Sequence, residues 1–271
     1  MTAAPAAAPR TFKVAFFNIQ SGKGEPAMPG VVSPFTDTAN CTDTSRPLNA
    51  WGHGLVQREL TTRVGNDTAV VALGLTEAWA CGKPSAVKNV LGWKAASTER
   101  NGTAIVARYG FSGPEQWLQL DTTRNLNPKD TMWLLRVPIC LDSQCTRSVT
   151  VFTVHWYGSG LLPLDVESVF ETQSQQTIDF MSAVPAGQPH ILLGDLNAFD
   201  GNEVLCAQAP RTKPLHMLRD AGYVDAWPAI HGPAEGNTGM WNRTACGTPA
   251  GNLFKRIDYT WSKGTNPLSM A

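Results

Sequence analysis

Apolar residues gather along this chain into short runs, separated by polar stretches rich in Gly and Pro. Residues 12–19, Phe-Lys-Val-Ala-Phe-Phe-Asn-Ile, are aromatic and β-branched and predict a buried strand. Residues 22–49 carry Gly, Pro, Ser and Thr in a density that predicts a long loop. Trp51, Leu55, Leu60 and Val64 then recur at near-helical spacing and predict an amphipathic helix. Residues 69–75 form a second apolar strand, and residues 93–96 and 103–108 two more. Residues 132–139 and 148–155 flank a polar turn and predict a hairpin. Val166, Val169, Phe170, Thr177, Met181 and Val184 mark a long helix. Residues 190–194 predict a short buried strand, residues 215–221 a short helix stopped by Gly222, and residues 254–261 a last strand.

This order lacks the sustained strand–helix alternation of a TIM barrel. Strands in clusters with few helices predict an α/β (α+β) four-layer sandwich, in which two mostly antiparallel sheets pack face to face with helices outside. Residues 1–10 read as a flexible Ala/Pro-rich tail without the basic and apolar regions of an export signal. No repeat or linker divides residues 11–271, which read as one domain and a monomer. No apolar run approaches the ~20 residues that span a bilayer. Lys+Arg and Asp+Glu are both 22, so the chain exerts no global pull on a polyanion, and nucleic acid would need a local patch or a metal.

Cysteine usage refines the picture. Cys140 and Cys145 bracket the polar turn of the hairpin, which favours a disulfide there. Cys41–Cys81 and Cys206–Cys246 are the natural remaining pairs, with connectivity open and six reduced thiols as the alternative. No Cys-x-x-Cys spacing points to zinc. The even count leans towards an oxidising compartment, secreted or periplasmic, with a cytoplasmic location as the alternative.

The sharpest chemical feature is Ile191-Leu-Leu-Gly-Asp-Leu-Asn197, an apolar strand running into Gly-Asp-x-Asn. Gly194 is expected to let the backbone turn. Asp195 and Asn197, two apart on an extended segment, are expected to point the same way and to hold a water and a phosphoryl oxygen. The plainer reading is an Asx turn closing a strand. Other strands also end in polar residues of useful type: the first at Asn18, the second at Glu77, the hairpin's second arm at His155, while the last contains Asp258. Singly, each reads as a cap, a helix start, a core histidine or an ion pair with Arg256; five in one order read better as a site.

In that order the motifs resemble the endonuclease/exonuclease/phosphatase superfamily of DNase I-like metal-dependent phosphoesterases. The resemblance rests on Asn18 in Phe-Phe-Asn-Ile, Glu77 after Val-Val-Ala-Leu, His155, Gly-Asp-Leu-Asn at 194–197 and Arg-Ile-Asp-Tyr at 256–259, with support from Asn101-Gly-Thr-Ala-Ile-Val-Ala-Arg108 and residues 222–227. It implies a phosphodiesterase, nuclease or phosphatase. Glu77 would bind a divalent cation, Mg²⁺ or else Mn²⁺ or Ca²⁺, with Asn18 nearby. Asp195 would activate the attacking water, Asn197 and His155 would contact the phosphate, and Asp258 would belong to the catalytic group.

The resemblance also implies a histidine in a Ser-Asp-His segment after Ile-Asp-Tyr, and a further strand or strands. The sequence reaches Ala271 without them. A domain incomplete at its C-terminus, with weak or no turnover, is therefore expected; the alternative is a catalytically impaired homologue that binds a phosphate ligand. A carbohydrate binder with loop calcium sites leaves Asn18, Glu77 and His155 unexplained. The substrate classes the resemblance implies are nucleic acid, phospholipid and soluble phosphate esters. Arg100, Arg108, Arg124, Arg243, Lys255 and Arg256 are candidate phosphate contacts, with Arg108 among the site residues, and Trp79 and Trp156 are candidates to line the cleft. His53, His190, His216 and His231 read as structural or surface residues.

Overall fold

Alternation along the strands decides how the chain folds back on itself. The structure, a computed structural model, describes residues 11–19, 60–79, 82–122, 131–156, 167–198, 212–232, 239–242, 252–255 and 258–267. In chain order these form β1 (Lys13–Asn18), a π-helical turn (Thr61–Gly65), β2 (Val70–Thr76), α1 (Pro84–Leu91), β3 (Ala95–Ala96), β4 (Ala104–Ala107), β5 (Gln116–Gln119), β6 (Trp133–Cys140) and β7 (Ser148–His155). They continue with α2 (Glu167–Ser182), β8 (His190–Asp195), α3 (Thr212–Asp220), β9 (Val224–Asp225), α4 (Ala226–His231), β10 (Gly239–Asn242), β11 (Asn252–Lys255) and β12 (Asp258–Lys263).

One sheet has the order β1-β2-β4-β3, another β5-β6-β7-β8-β12-β9, and β10 and β11 pair separately. Both large sheets are mixed and mostly antiparallel. The exceptions, β1 with β2 and β7 with β8, are parallel, so both strands of each pair end on the same side. β12 runs antiparallel to β8 and therefore begins where β8 ends.

The sheets face each other through one set of alternate residues. Ala72, Ile105 and Ala107 pack against Leu135, Val137, Val151, Ile191 and Leu193. The opposite set faces outward: Leu73, Leu75 and Val106 meet Val64 and Val87 beside α1, while Phe152, Val154, Leu192 and Trp261 meet Phe170, Met181, Leu215 and Leu218 from α2 and α3. Each large apolar side chain buried this way is worth about 1.5–3 kcal/mol. The result is the expected helix–sheet–sheet–helix sandwich. Gly74 sits on the inner face, where an added Cβ would lie 2.4 Å from Thr153 Oγ1 and 3.0 Å from Leu193 Cδ1. Glycine there lets the sheets close together three residues before Glu77.

Several expectations change. The strand expected over 254–261 is two strands in different sheets, β11 and β12, with residues 256–257 outside the described residues. α1 was not anticipated: it is too short to show periodicity, although Pro84 in its first turn and Gly92, at φ 64 after its end, are the usual start and stop signals. β5 escaped notice because an edge strand reading Gln-Trp-Leu-Gln has little apolar signal. Cys140 and Cys145 are joined across the hairpin end with Cα atoms 4.7 Å apart. The 22–49 loop, most of the 51–64 helix and the other four cysteines lie outside the described residues. Among the described residues, no helix is long and apolar enough to cross a membrane.

Candidate active site

The parallel pairings bring the chemistry to one rim. Asn18 ends β1 in register with Thr76, and Glu77 follows directly. In the other sheet His155 ends β7 in register with Asp195, the last residue of β8, and Asp258 opens β12 opposite the same Asp195. The two sheets meet through the Asn18 side chain. Its amide Nδ2 donates to Glu77 Oε1 at 3.1 Å and to Asp195 Oδ2 at 3.0 Å. One nitrogen within hydrogen-bond reach of both oxygens holds those carboxylates within ~6 Å of each other. His155 Nε2 stands 3.7 Å from the same Asp195 oxygen.

Two residues of this group hold unusual backbone conformations. Glu77 has φ 50 and Asn197 φ 46, in the left-handed region that costs an ordinary residue about 1–2 kcal/mol. Glu77 is kept there by the segment before β4. Ala78 N donates to Gly102 O at 2.9 Å, and a Cβ on Gly102 would lie 2.8 Å from Glu77 Cα. Asn197 closes an Asx turn, its N–H donating to Asp195 Oδ1 at 3.0 Å, while its Nδ2 donates to the Trp156 carbonyl at 3.1 Å. The Asx turn and the site therefore coexist. The expectation that Asp195 and Asn197 project together from an extended segment is corrected, because the chain turns at Asn197 itself. Gly194 does not make that turn. It lies inside β8, where a Cβ would sit 2.7 Å from the Val154 carbonyl oxygen, so glycine serves close packing with β7.

Asp195 is only 3% exposed. Burial pushes its carboxyl above the usual range and the charge of Glu77 adds to this, against the opposing pull of His155 and the hydrogen bonds from Asn18 and Asn197. A cation beside the two carboxylates would offset both raising effects. The donors available are oxygens of hard type, which fit Mg²⁺ chemistry, and Mg²⁺ is commonly held by one or two carboxylates with water and substrate completing the shell. Among the described residues there is no cluster of three or more His, Cys, Asp or Glu side chains suited to a metal. Asn18 turns its nitrogen, not its oxygen, to the carboxylates.

Arg108 is not brought to this rim. Its Nε donates to Val70 O at 2.7 Å, its Nη2 to the carbonyls of Asp67 and Gly65 at 2.8 and 3.2 Å, and it stacks over Trp93. Val70 opens β2 and Glu77 follows its end, so at the usual strand rise Arg108 lies ~20 Å from the carboxylates. The phosphate-binding expectation for Arg108 is therefore corrected: it ties the π-helical turn to β2. Trp156 is likewise unavailable for stacking on a ligand. It is buried, donates to Thr177 Oγ1 at 3.2 Å and packs on Phe170. Trp79, by contrast, is 38% exposed. His190 opens β8 between Gln188 O and Tyr223 Oη, with its pKa lowered by burial, in agreement with a structural reading. Sequence reasoning noted Gly102 only as part of the Asn101–Arg108 stretch and did not foresee its contact with Glu77, because a glycine before a strand says nothing of what it touches.

The pattern of the Endonuclease/Exonuclease/phosphatase family matches residues 16–269, nearly the whole chain. The chain belongs to this family. Its members are phosphoesterases. No curated protein matches the chain. Among solved structures, the fold is similar to an endonuclease/exonuclease/phosphatase from Beutenbergia cavernae DSM 12333, at 17% identity and TM-score 0.61, over 92% of this chain and 63% of that one. The chain thus spans less than two thirds of that relative. It is also similar to the mannosyl-6-phosphatase Bt3783 of Bacteroides thetaiotaomicron VPI-5482, at 11% identity and TM-score 0.59 over 93% and 85% of the two chains. A third is TDP2 of D. rerio complexed with a single strand DNA product, at 13% identity and TM-score 0.55 over 95% and 85%. At such identities these neighbours establish the fold of the family, a two-sheet α/β sandwich.

Proposed function

We propose that this family member is a divalent-cation-dependent hydrolase of phosphate esters, with Glu77 and Asp195 at the centre of its site. The observation that carries the reading is the Asn18 amide bridging these two carboxylates from different sheets. Glu77 would hold the cation, with Asn18 keeping the two carboxylates in place. The cation, when bound, supplies positive charge opposite the phosphoryl oxygens, where negative charge grows in the transition state. Asp195 accepts a proton from the attacking water, a task suited to a buried carboxylate whose proton affinity is raised. His155, beside it, donates a hydrogen bond to the phosphate. Asn197 holds the turn that aims Asp195, with its side-chain amide anchored on the Trp156 carbonyl. Asp258, directly across from Asp195, completes the acidic floor of the site.

The test uses bis(p-nitrophenyl) phosphate, whose leaving group departs without needing a proton. Wild-type protein with Mg²⁺ is expected to hydrolyse it and to melt at a higher temperature than in EDTA. Glu77→Gln is expected to lose the Mg²⁺-dependent thermal shift together with the activity. Phosphate binding and a Mg²⁺-dependent shift without turnover would sink the hydrolase reading and favour a phosphate-binding homologue.

A further inference from the structure

A cationic cluster stands near the same rim, built around Arg100. This exposed guanidinium lies over the rings of Trp133 and Trp117, its central carbon 4.6 and 5.1 Å from their centroids. The two rings meet edge to face at 6.3 Å. Both indole N–H groups are used nearby, Trp133 by Thr131 Oγ1 and Trp117 by Glu115 Oε2, so the rings are fixed. Among the described residues, the two acids nearest Arg100 along the chain take hydrogen bonds from other groups. Glu99 accepts from Gly102 N, and Glu115 accepts from the N–H and hydroxyl of Thr98. Among the described residues no carboxylate pairs with Arg100, and its five donors stay open while its face is braced by two indoles.

Two separate routes place this cluster next to Glu77 and His155. Arg100 bridges to Thr103 around Gly102, and Gly102 abuts the backbone of Glu77. Trp133 opens β6 one residue before Leu134, the partner of Val154, which puts it level with His155. A planar cation held rigidly at the edge of a phosphoesterase site suits bidentate binding of a phosphate. It is not the phosphate at the Glu77–Asp195 centre, since Arg100 shares no contact with either carboxylate among the described residues.

We infer that Arg100, braced on Trp117 and Trp133, binds a second, non-scissile phosphate of the substrate. The inference rests on the proposed phosphoesterase site and narrows its substrate to compounds carrying two phosphates, either neighbouring phosphates of a nucleic-acid strand or a doubly phosphorylated sugar.

The experiment measures dissociation constants by calorimetry on the intact protein in EDTA, so that no turnover intervenes. The ligand pairs are dithymidylate with and without a 5′-phosphate, and mannose 1,6-bisphosphate against mannose 6-phosphate. Wild-type protein is expected to prefer the doubly phosphorylated member of one pair, and which pair identifies the source. Arg100→Gln is expected to reduce that preference about tenfold or more, and Arg100→Lys to keep part of it. No preference in either pair, or one that survives in Arg100→Gln, overturns the inference. Failure of wild-type protein to hydrolyse any ester with Mg²⁺ would sink the hydrolase reading and leave the binding ratios intact.

Discussion

Replacing Gly102 by alanine should damage both the fold and the cation response. Gly102 has φ 77, and an added Cβ would lie 2.8 Å from Glu77 Cα, 3.0 Å from Glu77 N and 3.0 Å from Trp79 Cε2. Two of these obstacles are backbone and cannot rotate away. The left-handed penalty for an alanine and the overpacking together come to about 2–5 kcal/mol. For a domain of this size that lowers Tm by roughly 5–20 °C. The displaced neighbour is Glu77 itself, whose Oε1 is held at 3.1 Å by Asn18. The surviving folded protein should therefore need more Mg²⁺ for half-maximal thermal stabilisation and for hydrolysis. Gly92→Ala is the control. Gly92 has φ 64 with nothing within 4 Å of an added Cβ, so it carries the backbone penalty without the clash. Melting curves across a Mg²⁺ titration compare the two variants. If Gly102→Ala melts no lower than Gly92→Ala, or melts lower with an unchanged Mg²⁺ midpoint, the claim that Gly102 positions Glu77 is wrong.

Asp195→Asn should cost about 10²–10⁴-fold in turnover through loss of the base, yet stabilise the cation-free protein at neutral pH. The sign follows from linkage: burial raises the folded-state pKa of Asp195 above its ordinary value, so its ionisation weakens the fold as pH rises through that raised pKa. The stability gap between wild type and Asp195→Asn in EDTA, measured by urea unfolding, should widen over that rise; a gap that stays flat or narrows contradicts it. Arg108→Ala should lower stability by about 1.5–3 kcal/mol, since it strips hydrogen bonds from the carbonyls of Val70, Asp67 and Gly65, while the folded protein keeps its turnover. A large fall in kcat for Arg108→Ala, with stability unchanged, would return that residue to the site.

Much of the site was legible as order along the chain. Asn18, Glu77, His155, Asp195 and Asp258 each follow or open an apolar strand, and strand ends are where a sheet offers side chains to a rim. The hairpin disulfide was legible for a similar reason: residues that bracket a tight turn end up opposite each other. Arg108 misled because a terminal arginine on a strand looks the same at either end of a sheet. Only pairing direction shows that β4 runs antiparallel to β2 and leaves Arg108 beside Val70, at the far end from Glu77. Arg100 differs from the other candidate cations only by the company it keeps, and Trp117 and Trp133 reach it from two strands distant in sequence.

By itself the sequence determined most of the strands, though not the edge strand β5 or the break between β11 and β12, and which polar residues stand at their ends, because these follow from local spacing and residue type. The tertiary structure alone decided that two parallel pairings aim four of those ends the same way, that Gly74 and Gly102 admit close neighbours, and that one asparagine amide ties a carboxylate of each sheet to the other. Those outcomes depend on contacts between residues far apart in the chain, and local pattern carries no record of which distant surface will fill a given space.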